Sequence, residues 1–314
     1  MSAATSIEAA ARREPRRRTG STPRARRRRE ALIAYAFLAP SAIPLTAFVL
    51  YPMAQAAWAS LHDWNLITPM QWVGVDNYVA LVRDPETLAA FTHTLYYIGG
   101  TLPLVFCGGL ALALGLNRAM KGRNLLRGMY FLPVVTSWVA VAILWRWLLN
   151  PEVGVVNQVL AWFGVDGPGW WTDPTWSMPS IIIASAWKDL GFVMVLLLAG
   201  LQAIPEQVNE AATLDGASPW RRLRSITLPL LTPSIFFVII ITLINGFQVF
   251  DQVYAMTGGG PAGSSEVVVQ RIYDLTFRFG DAGLASALSM ILFLVVLIVT
   301  MIQIRGERRW VNYA

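Results

Sequence analysis

Few side chains in this sequence are of a type to do chemistry, and they sit in an apolar background. Asn245 and Gln248 lie three residues apart in "TLINGFQVFD", with Asp251 three further on, so on a helix they share one face. Amides both donate and accept, which suits sugar hydroxyls; an interhelical hydrogen bond would use the same groups. Lys188 and Asp189 fall inside another apolar run, where a central charge costs about 2.5–3.5 kcal/mol. They can neutralise each other in a salt bridge, or Lys188 can face a solute. Arg146, between Trp145 and Trp147, reads as a guanidinium reaching for headgroups. "TGGGPAGSS", Thr257 to Ser265, fits either a backbone cradle for an anion or a flexible turn that meets another protein.

Other chemistries lack their parts. His62 and His93 stand apart from any H-E-x-x-H, no G-x-S-x-G nucleophile turn occurs, and no G-x-x-x-x-G-K-[ST] loop is available to hold nucleotide phosphates. Cys107 is the single cysteine, which excludes an internal disulfide or a thiolate metal cluster built from this chain alone. No metal ligand set and no catalytic residue is expected.

The most punctuated polar stretch is "NEAATLDGASPWRRLRSITLPL". Pro205 fits the first turn of a helix that presents Val208, Ala211 and Ala212 and stops near Gly216, the residue type preferred in a left-handed C-terminal position. Ser218 and Pro219 then restart the chain as N-cap and first-turn proline. Trp220, Leu223 and Ile226 line the apolar face of the second helix, Arg221, Arg222 and Arg224 point to solvent or lipid phosphates, and Pro229 closes it.

These residues need a frame, and the composition supplies it. Hydrophobic residues make up 55% and charged residues only 14% of 314, against about 25% charge in soluble domains. Apolar stretches long enough to cross a bilayer run about Leu32–Ala54, Leu95–Leu116, Met129–Leu148, Pro179–Leu201, Thr232–Phe250 and Leu284–Ile304. The first exceeds a signal-peptide core, so it is read as retained. The predicted fold class is an all-α polytopic membrane protein with six transmembrane helices, spanning residues 31–306 with a core at about 90–305.

Arg118, Lys121, Arg123 and Arg127 follow the second span, Arg221, Arg222 and Arg224 the fourth, and Arg305, Arg308 and Arg309 the sixth, while the alternate loops hold few basic residues. The positive-inside rule then places both termini in the cytoplasm. Ten of the 25 basic residues precede position 30; this tail, 1–30, reads as disordered and as a topology signal rather than a nucleic-acid arm. Residues 307–314 form a second cytoplasmic tail. Most of the 13 Trp residues fall on the outer side. The long outer loops are expected to carry short interfacial helices, one with Leu88, Phe91 and Leu95, another with Val156, Leu160 and Phe163.

Glu210, Ala211, Ala212 and Gly216, then Ile226, Leu228 and Pro229, resemble the EAA loop of ABC importer permeases, at matching spacing. "YFLPVV", "WKDLGF", "LAGLQAIP" and "FDQVYAMTGGGP" resemble the carbohydrate-type subfamily, and the resemblance covers nearly everything after the Arg tail. It implies a type I ABC importer permease-like fold in the bacterial-type cytoplasmic membrane. The segment 205–229 would be the coupling loop, with Glu210, Ala211, Ala212, Asp215 and Gly216 seated in a cleft of a cytoplasmic ATP-binding subunit dimer and Ile226, Leu228 and Pro229 holding its shape. ATP and Mg would bind on those partner subunits, not on this chain. A second permease subunit, an extracytoplasmic solute-binding protein and the lipid bilayer complete the expected partners, with no nucleic acid. The solute would be a sugar or related polyol, with glycerol phosphate as an alternative; Asn245, Gln248, Asp251 and Lys188 are the candidates for its pathway. An ion-coupled secondary transporter could use Lys188, Asp189 and Asp251, but would leave the EAA spacing without a purpose.

Overall fold

A computed structural model describes residues 23–118 and 120–310; most of the expected N-terminal tail lies outside them, as do the last four residues. Two compact units divide between Gln55 and Ala56. The first holds α1 (Pro23–Leu45), whose Pro40 and Pro44 lie inside the helix, and a π-helical turn, Thr46–Leu50. Helix thus starts inside the segment expected to be disordered. α2 is Tyr51–Ala59, and the first apolar helical stretch, Glu30–Ala59, has none of its apolar window buried. A soluble protein could not leave Phe37, Phe48 and Leu38 in water, whereas a bilayer accepts them.

The second unit opens with a two-residue antiparallel pair, β1 (His62–Asp63) and β2 (Gln71–Trp72), in register His62 to Trp72. α3 (Asp76–Arg83) follows, and α4 (Pro85–Leu116) then runs 32 residues without a break. The expected separate interfacial helix at Leu88–Leu95 is therefore the first part of α4. Asp84 explains the start: its carboxylate accepts from the Glu86 and Thr87 N–H groups at 3.3 and 3.1 Å, an N-cap followed by a first-turn proline. At the other end the Leu116 carbonyl accepts from the Arg127 guanidinium at 2.9 Å.

α5 (Arg123–Val135) and α6 (Trp138–Leu148) meet at 100°, so the third span, expected as one rod over Met129–Leu148, is broken. The Thr136 hydroxyl donates to the Pro133 carbonyl at 2.5 Å, and Ser137 caps α6 by accepting from Val139 N–H. Each half thus satisfies its own end. α7 (Val155–Trp162) is a short helix over the residues Val156 and Leu160 where one was expected.

α8 (Ser177–Ala203) is the most buried of the long helices and packs along α4. Small residues make this possible: a Cβ at Gly109 would meet the Val193 side chain, and one at Gly191 would collide with the Tyr130 carbonyl of α5. Then come α9 (Glu206–Leu214), α10 (Pro219–Arg222), a π-helical turn Leu223–Thr227, α11 (Leu228–Leu230) and α12 (Thr232–Phe247). The bend between Pro219–Leu230 and α12 is 66°, and α12 stops three residues short of the expected Phe250. α13 (Asp251–Met256), α14 (Val268–Phe277) and α15 (Ala282–Trp310) complete the chain; α15 includes the beginning of the expected tail. Among the described residues four helices are long and apolar enough to cross a membrane, or up to six if each bent pair counts as one span.

Candidate functional site

Two regions carry the functional residues: a polar cavity among α4, α6, α8, α12 and α13, and the elbow that contains α9 and α10. The elbow is built by its caps. Pro205 is the residue before the first helical one, with ψ 135°. At the far end the Gly216 N–H reaches the Thr213 carbonyl at 3.1 Å and the Ala217 N–H the Ala212 carbonyl at 3.0 Å. These are the two bonds of a Schellman motif, and they require the left-handed φ of +72° that Gly216 adopts. Ser218 then accepts from Arg221 N–H at 3.3 Å, and Arg222 donates to the Thr213 hydroxyl at 2.7 Å, tying the two short helices together.

Ala212 is buried, while Glu210, Ala211, Asp215 and Gly216 are exposed. The expected pair of alanines thus splits, one packing inward and one facing out. Ile226, Leu228 and Pro229 are half-buried. Sequence reasoning passed over Leu214, which is 88% exposed beside Asp215. Its signal was available, since it is the one large apolar residue in "NEAATLDG".

The cavity measures about 290 Å³. Asn245, Gln248 and Asp251 all line it, joined by Asp189, Tyr97, Thr101, Gln252 and the rings of Trp138, Phe192 and Phe250. The Gln252 amide donates to the Tyr97 hydroxyl at 2.9 Å, which fixes that wall. Asn245, Gln248 and Asp251 are exposed to the cavity. Among the described residues no lysine, arginine or histidine lines it. The result is a set of amides, hydroxyls and two carboxylates over flat rings, able to exchange hydrogen bonds with a polyhydroxy solute and repelling anions.

Lys188 is not in this wall. Its ammonium, 4% exposed, donates to the carbonyls of Pro133 and Val134 at 3.0 and 2.8 Å and lies 5.1 Å from the centroid of the Trp138 ring. It therefore serves the break between α5 and α6 rather than a salt bridge with Asp189: neighbours in sequence point about 100° apart around a helix, and the carbonyls at the break need donors. Arg146 stacks over Trp171 at 4.5 Å instead of reaching away from the chain.

At the N-terminal end of α4, Arg271 of α14 holds Asp84 at 3.1 Å, Glu86 at 2.6 Å and Glu266 at 3.8 Å. Burial alone would raise the Asp84 pKa, but hydrogen bonds from Thr87 and Arg271 and from the Thr87 and Glu86 backbone together hold it below the ordinary carboxylate value. Burial pushes Glu266 up; the Arg271 charge opposes this, and repulsion from Asp274, Glu86 and Asp84 adds to it. His93 contacts the Glu266 carbonyl at 3.0 Å, and His62 the Trp58 carbonyl at 2.8 Å. Among the described residues no group of three His, Cys, Asp or Glu side chains could hold a metal ion.

The glycine-rich segment is braced internally. The Thr257 and Ser265 hydroxyls lie 2.8 Å apart, Ser265 Oγ donates to the Gly260 carbonyl at 2.8 Å, and Gly258 N–H and Gly260 N–H bond to Val253 and Thr257 carbonyls. Those N–H groups are occupied and do not form an anion cradle.

Comparison with known proteins agrees with this architecture. Residues 106–311 match the family described as binding-protein-dependent transport system inner membrane component. The trehalose/maltose transport system permease protein MalF of Thermococcus litoralis is 34% identical over 281 residues, 89% of this chain and 95% of the relative. The sulfoquinovosyl glycerol transport system permease protein SmoG of Agrobacterium fabrum is 35% identical over 276 residues, 87% and 90% of the two chains. A chain in the crystal structure of a bacterial alginate ABC transporter, in complex with an alginate pentasaccharide-bound periplasmic protein, superposes with a TM-score of 0.81 at 28% identity, covering 92% of this chain and 98% of that one. With the family match extending over about two thirds of its length, this chain belongs to the inner membrane components of binding-protein-dependent transport systems.

Proposed function

We propose that the chain is the permease subunit of an ATP-driven importer for a neutral sugar or related polyol and forms half of the translocation pathway. The observation that carries this reading is the cavity wall: Asn245, Gln248 and Asp251 face it together with Asp189 and aromatic rings, and among the described residues no basic side chain lines it. A phosphorylated polyol would meet two carboxylates with no compensating cation, which disfavours it. The relatives named as trehalose/maltose and sulfoquinovosyl glycerol permeases support a carbohydrate solute, and only the first, named for uncharged sugars, supports a neutral one.

Both termini lie in the cytoplasm in this reading, which brings the elbow to the inner face. There Glu210, Ala211, Leu214 and Asp215 meet a cytoplasmic ATPase subunit, and ATP and Mg bind on that partner. A second permease subunit supplies the rest of the pathway, and a solute-binding protein delivers sugar from outside. Two short helices locked by a Schellman turn and an Arg222–Thr213 bond make a stiff knob suited to transmitting ATPase closure.

The test is reconstitution of the complex that co-purifies with this chain, followed by ATP-driven uptake of labelled maltose, trehalose, lactose and glycerol 3-phosphate. Uptake of one of the neutral sugars is expected, with glycerol 3-phosphate excluded. Transport of glycerol 3-phosphate alone, or solute movement by this polypeptide without an ATPase, overturns the reading.

A further inference from the structure

Four aromatic rings run in unbroken contact from the cavity wall to the surface. Phe250, which lines the cavity, stacks on Tyr254 at 5.3 Å between centroids with the planes 27° apart, and Tyr273 lies 5.3 Å from both. Tyr273 in turn touches Phe277 at 5.0 Å. Phe277 is 71% and Tyr254 44% exposed. Rings that only served a core would be covered. Rings of an interfacial belt would face lipid, yet this series begins on the wall of a cavity that holds Asp189, Asp251 and three amides, and lipid does not face such groups.

We propose that Tyr254, Tyr273 and Phe277 form an aromatic track that leads a pyranose ring from the outer loops into the cavity; this rests on the sugar-importer reading above. A pyranose presents an apolar C–H face that lies flat on a ring and hydroxyls at its rim. The track supplies the flat faces, the two tyrosines add hydroxyls at the edge, and Asn245 and Gln248 receive the sugar at the inner end. Stacking of this kind is weak per ring and tolerant of orientation, so a sugar slides from ring to ring without being held. A route of strong hydrogen bonds would trap it.

The experiment uses the complete transporter in proteoliposomes with labelled maltose, trehalose and lactose as probes. Tyr273→Leu keeps an apolar side chain and loses the flat face; Tyr273→Phe keeps the face and loses the hydroxyl. Uptake is expected to fall about three- to tenfold with Tyr273→Leu and to stay within about twofold of wild type with Tyr273→Phe, while binding-protein-stimulated ATP hydrolysis is retained in both. Phe277→Ala, at a mostly exposed position, gives the same direction with little risk to folding, about two- to fivefold. Equal uptake by Tyr273→Leu, Tyr273→Phe and Phe277→Ala overturns the track and leaves the importer reading standing. Loss of the second permease from the Tyr273→Leu and Phe277→Ala complexes, or a parallel fall in ATP hydrolysis, also overturns it by making the rings a subunit contact. Wild type that moves none of the three sugars sinks the sugar reading and the track with it.

Discussion

Replacing Lys188 by methionine removes one ammonium of similar length and tests what holds the broken third span. The two carbonyls it serves are unequal. Pro133 O keeps the Thr136 N–H at 3.2 Å and the Thr136 hydroxyl at 2.5 Å, whereas Val134 O has the Lys188 bond alone among the described residues. Leaving one such carbonyl unpaired away from water costs about 1–3 kcal/mol, and loss of the contact with Trp138 adds about 0.5–2 kcal/mol. Relief of the buried charge offsets part of this. The net expectation is about 2–3 kcal/mol, or roughly 3–5 °C in melting temperature for a chain of this size. The assay is thermal unfolding of the purified complex, followed by tryptophan emission, for Lys188→Met, Trp138→Leu and the double variant. Because both singles remove the cation–ring contact, the double should cost about 1 kcal/mol less than their sum. A Lys188→Met protein that melts with wild type, or strict additivity with Trp138→Leu, would refute the account of the break as pinned by this ammonium.

Gly191→Ala should destabilise by about 1–3 kcal/mol, since its new methyl collides with the Tyr130 carbonyl, while Gly99→Ala, with open space around it, should be neutral or stabilising by up to about 1 kcal/mol; melting of the two variants side by side decides. Glu266 binds its proton more tightly folded than unfolded, so its contribution to stability falls as pH rises from the ordinary carboxylate value through the raised one. Glu266→Gln should therefore flatten the loss of stability between mildly acidic and neutral pH, as read by melting temperature across that range; an unchanged slope refutes the assignment. Asp84 has the opposite sign: its stabilisation is full above the ordinary value and is lost only as pH falls through its depressed one. Gly216→Trp forces a bulky residue into a left-handed backbone at φ +72° and should leave insertion intact while uptake per ATP hydrolysed drops; normal coupling in a well-expressed variant counts against the elbow's role.

The sequence made the elbow legible almost residue by residue, because caps act locally: Gly216, Ser218 and Pro219 each fix their own turn. Apolar length likewise announced the spans. The break at Thr136–Ser137 was hidden, since hydropathy runs on through "YFLPVVTSWVAVAILW" and the clue, Lys188, lies on another helix. The opposite error, an extra helix boundary before Leu95, arose because amphipathic spacing at Leu88 and Phe91 looks the same whether a helix stops or continues. The cavity set was half visible. The three-residue spacing of Asn245, Gln248 and Asp251 pointed to one wall, although α12 ends at Phe247 and Asp251 opens α13; Asp189 and Tyr97 come from helices whose rotation is set by packing, and no local signal reports it.

The uninterrupted run from Pro85 to Leu116 has a mechanical consequence. Thirty-two helical residues at 1.5 Å each reach about 48 Å, against about 30 Å of hydrocarbon, so about a third of the rod stands clear of the bilayer. Its N-terminal end, Asp84 and Glu86, is held by Arg271 of α14. Any tilt of α4 in the bilayer is therefore passed at that end to α14, through the grip of Arg271 on Asp84 and Glu86.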